Sequence, residues 1–245
     1  MRRLLFAAAL LAFTTPSHAE DRFDYPAPPS PGPAKRLWAT QYYVHYVTPT
    51  AAPNAAPLRN RRGQKIGISL TNADFCKGAL EGTIAIADGE KAGVYNVDGV
   101  GSQRSATCRF GGLKPAVNER LGRQAWAKLT GNGTHGLGVQ GLRLLPFRTV
   151  AVDPTVFPIR TILFVPRLRG FRFKDGGVER VHDGYVIAGD VGGAIKGNHI
   201  DFFTGAFTGP PPSFVTSRPR DLFDAHVVRE GAVVAELKAA AKYVP

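Results

Sequence analysis

The chain has 245 residues, with 31 Lys and Arg against 19 Asp and Glu, a net charge of +12 and 44% hydrophobic residues. Beyond the N-terminal segment, no apolar run approaches the roughly 20 residues of a membrane-spanning helix, which excludes a membrane-embedded protein. In a cytosolic protein such a charge indicates nucleic-acid binding. Because the N-terminus indicates export, acidic cell-envelope polymers are the expected partners, with no nucleic acid. A basic surface that serves only solubility is an equally good interpretation.

Residues 1–19, MRRLLFAAALLAFTTPSHA, begin with Arg2 and Arg3, continue with an apolar run, and end in small residues. This pattern is typical of a cleavable signal peptide. Its removal leaves a net charge of +10, because it carries two arginines and no acidic residue. The protein is therefore expected to be periplasmic or secreted, with no stable membrane anchor.

The next segment, residues 20–35, is rich in proline and predicts an extended leader. A single folded domain is expected over residues 36–245. Its chain pattern is mainly β, with turn-rich spacers. Strand-like runs occur at 36–47, 65–70, 80–87, 92–96, 142–152, 161–166 and 184–188, and helical patterns at 116–133 and 231–244.

Cys76 and Cys108 are the only cysteines. In an oxidising compartment they are expected to form a disulfide. Closing a loop of this size stabilises a fold by about 3 to 4 kcal/mol in the chain-entropy model. A catalytic thiol is the competing interpretation, which the lack of a histidine near either cysteine in sequence disfavours.

The spacing of polar residues predicts no cofactor and no metal. The glycine cluster GNGTHGLGVQG follows a predicted helix, whereas a dinucleotide-binding loop follows a strand and opens a helix. No two histidines lie three or four residues apart, so a zinc site would need ligands from distant segments. The serines lack a G-x-S-x-G motif, which disfavours an acyl hydrolase.

Three aspartates flank strand-like runs: Asp153 in AVDPTVF, Asp190 in AGDVGG and Asp201 in NHIDFF. Each has an ordinary interpretation as a turn aspartate that accepts backbone N–H bonds, and this interpretation is as good as any for Asp153.

Asp201 fits that interpretation less well, because it lies between Ile200 and Phe202, where an ionised side chain is normally excluded. On a strand it faces away from both neighbours, and it is expected to line a cleft. Burial and a second nearby carboxylate would raise its pKa, as a general acid near neutral pH requires.

The runs VAVDPTVFPIRTILFVP and DVGGAIKGNHIDFF together resemble the three-aspartate (3D) domain, and DVGGAIKG is especially similar to lytic murein transglycosylases of the MltA type. The segment WATQYYVHY resembles that family's opening strand. The matches cover residues 38–47 and 148–205, and the section between them does not align. The resemblance implies a mainly β fold: a double-psi β-barrel (3D domain) with an inserted β-rich section at about residues 60–130 and one or two helices. No heptad pattern indicates a coiled coil, and a monomer is expected.

The resemblance also implies cleavage of the β-1,4 bond between N-acetylmuramic acid and N-acetylglucosamine in peptidoglycan glycan strands, with formation of a 1,6-anhydro sugar. By motif position, the catalytic aspartate falls on Asp201. Asp190 would position or polarise it, and Asp153 would be a supporting carboxylate. One acid suffices because the sugar's own 6-hydroxyl attacks, so that proximity replaces the second carboxyl of ordinary glycosidases.

Residues of the matched segments are further candidates for substrate binding. Hydroxyls and rings of the opening strand could hydrogen-bond or stack on sugars, although structural packing is at least as good an interpretation for each tyrosine. Glycines allow close backbone approach, and a lysine could meet a lactyl or peptide carboxylate. The candidates are Thr40, Tyr42, Tyr43, Gly192, Gly193 and Lys196.

Two other functions fit the sequence. A non-catalytic cell-wall polysaccharide-binding barrel, as in expansin-like proteins, would follow if the unaligned section does not complete a deep groove. A hydrolytic glycosidase would use water in place of the internal hydroxyl, with Asp190 as the base.

Overall fold

The computed structural model describes residues 22–175, 177–206 and 209–245. The predicted signal peptide at 1–19 lies outside the described residues. The strands are β1 (Ala34–Tyr42), β2 (His45–Tyr46), β3 (Ala56–Arg59), β4 (Lys65–Leu70), β5 (Thr83–Ile86), β6 (Gly93–Val100), β7 (Gln124–Lys128), β8 (Thr149–Ala151), β9 (Ile162–Phe164), β10 (Arg172–Asp175), β11 (Val178–Val181), β12 (Tyr185–Asp190), β13 (His199–Phe203) and β14 (Phe223–Val228). The helices are α1 (Asn72–Glu81), α2 (Pro115–Leu121) and α3 (Ala232–Ala240).

Six strands close into a barrel in the order β1-β13-β8-β12-β9-β14. β1 pairs in parallel with β13, and β8 in parallel with β12, whereas the other neighbours are antiparallel. This closed, mixed topology confirms the predicted double-psi β-barrel. Since alternate residues of a strand face opposite sides, one side of each strand fills the barrel interior. The interior residues on these strands include Leu37, Ala39, Val150, Leu163, Val186, Ala188, Ile200, Phe202, Phe223 and Ala225.

The chain between β1 and β8 builds a second body. A four-stranded sheet, β2-β5-β6-β7, the β3–β4 hairpin and helices α1 and α2 share a separate apolar core that contains Trp126. We call residues 43–128 the inserted segment and residues 129–148 the connecting loop. The inserted segment is longer than the expected 60–130 insertion, because β2 and β3 already belong to this second body.

Two helix assignments differ from the sequence pattern. No helix is predicted at 72–81, where α1 begins after Thr71, whose side chain accepts the Asp74 N–H, and ends at Gly82 with φ 87°. The helix predicted over 116–133 is only partly right. α2 ends at Leu121, and the following residues form β7, because pairing with β6 overrides the helical periodicity.

The described part of the predicted leader has no regular secondary structure before β1, as its prolines suggest, but it packs against the barrel. Tyr25 is 3% exposed, and its hydroxyl donates to Glu236 of α3 at 2.6 Å. Its backbone N–H donates to Asp183, which forms a buried ion pair with Arg148 at 2.6 Å. The folded body therefore starts ahead of the expected boundary at residue 36.

Candidate active site

The two aspartates of the DVGGAIKGNHIDFF motif lie on strands that flank the same residue. Asp201 on β13 and Asp190 on β12 both pair with Ala151 of β8. Because neighbouring strands lie about 4.8 Å apart, the two aspartate backbones are about 10 Å apart. Thr40 on β1 pairs with Asp201 from the other side. We call Thr40, Asp201, Ala151 and Asp190 the aspartate row.

A β-bulge at Gly189 brings Asp190 into this row. Ala188 pairs with Val150, but Asp190 pairs with Ala151, so Gly189 is the extra residue. In a regular strand Asp190 would face the same side as Ala188, which lies in the barrel interior. The bulge therefore places the carboxyl on the outer face of the barrel, together with Asp201.

The outer face of the aspartate row packs towards the inserted segment. An apolar cluster joins the two bodies there, formed by Tyr42, Val44, Ala85, Leu144, Ala151, Ile195 and Phe203. The Phe203 ring lies 4.9 Å from the Tyr42 ring, whereas Phe202 points into the barrel interior. One of the two phenylalanines thus shields the face that carries Asp201, which is itself half-buried.

Burial, together with the nearby carboxylates of Glu81 and Asp190, raises the pKa of Asp201 to about 7. Two groups act in the opposite direction. The Thr40 hydroxyl donates to Asp201 Oδ1 at 2.7 Å, and Lys77 contributes a positive charge. The balance keeps much of Asp201 protonated near neutral pH, which a general acid requires.

Burial also raises the pKa of Asp190, to about 6. Polar neighbours limit this rise: the Val191 N–H donates to Oδ1 at 2.8 Å, and the nearby Tyr42 hydroxyl and Val139 backbone also lower the pKa. The Tyr42 hydroxyl is buried, and its pKa is raised well above the ordinary value by burial and by both aspartates. Both aspartates of the row therefore have raised pKa values.

The connecting loop covers Asp190, and its glycines make this possible. A Cβ on Gly138 would lie 2.3 Å from the Gly189 carbonyl oxygen and 3.2 Å from Asp190 Cβ. On the other side, the Leu137 N–H donates to Asn96 Oδ1 of β6 at 3.0 Å. The glycine cluster thus ties the inserted sheet to the barrel beside the site.

Helix α1 adds two charged residues that the sequence analysis missed. Glu81 has a side chain only 6% exposed and pairs with Lys77 at 2.5 Å. It also accepts the Tyr43 backbone N–H at 3.1 Å, just after the end of β1. Charged pairs at this spacing are common on helix surfaces, so no sequence signal distinguishes this pair, and only the docking of α1 brings it near Asp201.

Asp153 lies apart from the aspartate row, in the turn after β8. Its carboxylate accepts the Gly197 N–H at 2.8 Å and the N–H and hydroxyl of Thr155 at 3.0 and 2.7 Å. These bonds, with the Gly197 backbone contribution largest, lower its pKa to about 2. Asp153 thus anchors the β12–β13 loop, which matches the turn interpretation.

The remaining candidates are divided between packing and exposed positions. Tyr42 is 6% exposed and packs as a structural residue, while the Tyr43 ring lies 5.1 Å from the Lys77 ammonium. In the β12–β13 loop, a Cβ on Gly192 would crowd Ile195 at 2.5 Å, whereas one on Gly193 would meet nothing within 4 Å. Lys196 is exposed in the same loop. Of the candidates, Thr40, Tyr42, Asp190 and Asp201 lie in or beside the aspartate row.

Cys76 of α1 and Cys108 form the predicted disulfide, with Cα atoms 5.3 Å apart, within the inserted segment. Among the described residues, no helix has both the length and the apolar character to cross a membrane. The same part of the chain contains no group of three or more His, Cys, Asp or Glu arranged to hold a metal ion.

Residues 148–208, which contain the barrel strands β8, β9, β12 and β13 and the three aspartates, match the family model of the 3D domain. The solved structures that the chain resembles are MltA-type lytic transglycosylases. E. coli MltA with bound chitohexaose has a TM-score of 0.50 at 17% identity, covering 78% of this chain and 71% of that chain. A membrane-bound lytic murein transglycosylase from Agrobacterium tumefaciens has a TM-score of 0.46 at 14% identity, covering 78% and 73%. At these identities the likeness concerns the fold. The comparison with curated proteins finds no match.

Proposed function

We propose that this chain is an exported lytic transglycosylase that cleaves the β-1,4 bond between N-acetylmuramic acid and N-acetylglucosamine in peptidoglycan. The observation that carries the proposal is the half-buried carboxyl of Asp201, with its pKa raised to about 7, in a row with Asp190 at the junction of barrel and inserted segment. The fold it shares with MltA, which has been solved with chitohexaose, supports a glycan as the ligand.

In the proposed reaction, protonated Asp201 donates its proton to the glycosidic oxygen, and the bond from that oxygen to C1 breaks. The 6-hydroxyl of the same muramic acid attacks C1 and closes the 1,6-anhydro ring. The Asp201 carboxylate then takes the hydroxyl proton, which restores the starting acid. Since the attacking group belongs to the substrate, proximity replaces the second carboxyl of a hydrolytic glycosidase.

The neighbours of Asp201 have supporting roles in this proposal. Thr40 holds Oδ1, and ionised Asp190 polarises the acid by disfavouring its charged form. Asp153 orders the β12–β13 loop, where Gly192 and Gly193 would allow close approach of the glycan and exposed Lys196 would meet a lactyl or peptide carboxylate. The strong positive charge favours binding to an anionic polymer.

The direct test is to incubate the purified protein with peptidoglycan sacculi and to measure anhydro-muropeptides by mass spectrometry. Asp201→Asn is expected to reduce their formation by about a thousandfold, within the range for loss of a general acid–base group. Asp224→Asn, an exposed aspartate on the barrel strand β14, is the matched control and should retain activity. Full activity of Asp201→Asn would refute the mechanism.

Other products would assign other functions. Reducing ends without the anhydro mass would indicate a hydrolytic glycosidase, and retention on sacculi without soluble product would indicate a polysaccharide-binding barrel.

The pH dependence follows from the raised pKa. Asp201 must be protonated for the first step, so the rate should be highest on the acidic side and fall as the pH rises through about 7. A rate that stays constant to about pH 9 would contradict the assignment of Asp201 as the acid.

A further inference from the structure

His199 lies two residues before Asp201 on β13, and therefore on the same face of the barrel. It pairs with Trp38 of β1, and the two rings stack with centroids 3.5 Å apart and planes 7° apart. The stack fixes the plane of the imidazole. In this plane Nε2 lies 2.9 Å from Thr40 Oγ1. The same oxygen lies 2.7 Å from Asp201 Oδ1. A continuous hydrogen-bonded chain therefore runs from His199 through Thr40 to Asp201.

The direction of this chain depends on which ring nitrogen of His199 carries the hydrogen. The Thr40 hydroxyl has one hydrogen, which it donates to Asp201 Oδ1. The contact between Thr40 Oγ1 and Nε2 can then be a hydrogen bond only if Nε2 carries a hydrogen and donates it. With Nε2 as the donor, Oδ1 is an acceptor whether Asp201 is protonated or ionised, and the acid proton resides on the other oxygen, Oδ2.

We propose that His199 is a positioning residue for Asp201, acting through Thr40, and that this chain reserves Oδ2 as the oxygen that gives and recovers the proton. The inference rests on the proposed function, because it assigns the oxygen that would exchange the proton with the glycan. The chain keeps the same direction in both charge states of Asp201. The acid can therefore lose and regain its proton without rearrangement of its neighbours.

Other groups near Asp201 come from three elements. Asp190 on β12 and Glu81 and Lys77 on α1 act on Asp201 by charge, and the neutral Tyr42 hydroxyl on β1 lies nearby. None of them replaces the chain to Oδ1, which Thr40 alone provides among the hydrogen bonds found at Asp201 in the described residues. Loss of the Nε2 donor weakens the Thr40 bond, because donors in a chain polarise one another.

The test is a double-mutant cycle with two shape-conserving substitutions. His199→Phe keeps an aromatic ring against Trp38 and removes Nε2, while Thr40→Val keeps the branched shape and removes the hydroxyl. His199→Phe is expected to lower kcat for the anhydro product by about tenfold with KM nearly unchanged. In the Thr40→Val background the same change should cost less than about twofold, since the chain is already broken. His226→Phe on β14, whose ring bonds the Gly32 carbonyl, is the control.

A measurement without substrate separates this inference from the proposed function. The Asp201 carboxyl is titrated by 13C NMR in the wild type and in the three variants. His199→Phe should raise the Asp201 pKa, and it should have almost no effect once Thr40 is Val. Additive effects on kcat, or an Asp201 pKa that His199→Phe leaves unchanged, would overturn the inference. If the wild type forms no anhydro product, but His199→Phe still changes the Asp201 pKa only when Thr40 is present, the proposed function is refuted and the positioning role of His199 stands.

Discussion

The barrel and the inserted segment contribute different things to the same site. The barrel supplies Thr40, Asp190 and Asp201, and places them by strand register. The inserted segment supplies Glu81 and Lys77 from a helix whose position depends on a second core and a disulfide. The barrel therefore determines the position of Asp201, while the inserted segment adjusts the pKa of Asp201.

The two bodies are held together by an apolar cluster and by the connecting loop. The cluster includes Tyr42 and Phe203 from the barrel and Ala85 from the inserted sheet. The loop binds Asn96 on one side and approaches Gly189 on the other. Each contact can be broken separately, so the contribution of each body can be measured.

The largest expected effect comes from loss of the disulfide. Cys76→Ser with Cys108→Ser should lower the free energy of unfolding of the inserted segment by about 3 kcal/mol, because the unfolded chain is no longer cross-linked. Unfolding in urea is followed by tryptophan fluorescence. Trp126 on β7 reports on the inserted segment and Trp38 on β1 reports on the barrel, and each is measured in a variant in which the other tryptophan is changed to Phe.

The comparison predicts that the Trp126 transition moves to lower urea and the Trp38 transition moves less. Equal shifts at both tryptophans would mean that the barrel and the inserted segment unfold as one unit.

A smaller effect is expected from Gly138→Ala in the connecting loop. The new Cβ would lie 2.3 Å from the Gly189 carbonyl oxygen, so backbone must shift, at a cost of about 1 to 3 kcal/mol. The shift moves the loop away from Asp190 and should lower both the melting temperature and the rate of product formation. Gly111→Ala, where a Cβ would meet nothing within 4 Å, is the matched control. Unchanged activity would show that the loop does not help to form the site.

The smallest effect is expected from Glu81→Gln, which removes a negative charge near Asp201. Since Glu81 raises the pKa of Asp201 and Lys77 lowers it, the substitution should lower that pKa. The falling limb of the pH–rate profile should move to lower pH. Because a smaller fraction of Asp201 is then protonated at neutral pH, the rate there should fall about threefold. Glu90→Gln, an exposed glutamate paired with Lys91, serves as the control.

A profile identical to that of the wild type would show that the inserted segment does not influence the acid.

Short-range patterns were sufficient for several features. The strand at 65–70, the pairing of the two cysteines and the outward direction of Asp201 relative to Ile200 were all predicted, and the resemblance to the 3D domain added the barrel class. These features depend on alternation, composition or a motif within one stretch of chain. The turn interpretation of Asp153 also followed from its neighbours, and the hydrogen bonds of the structure match it.

Other features depended on contacts between distant segments. Residues 124–128 have helical periodicity but form β7, because β6 offers a pairing partner. Asp190 would share the side of Ala188 by simple alternation, and only pairing with β8 shows that Gly189 is a bulge.

The sequence by itself was enough to propose Asp201 as the acid and, through its resemblance to the 3D domain, to predict the fold class, because motif and alternation are local properties of the chain. Only the tertiary structure decided the neighbours of that acid. Glu81 and Lys77 are more than a hundred residues away from Asp201 in the chain, and His199 reaches it only through Thr40 on another strand. Charge–charge and hydrogen-bond energies depend on distance in space, which is settled only when the barrel closes and the inserted segment packs against it.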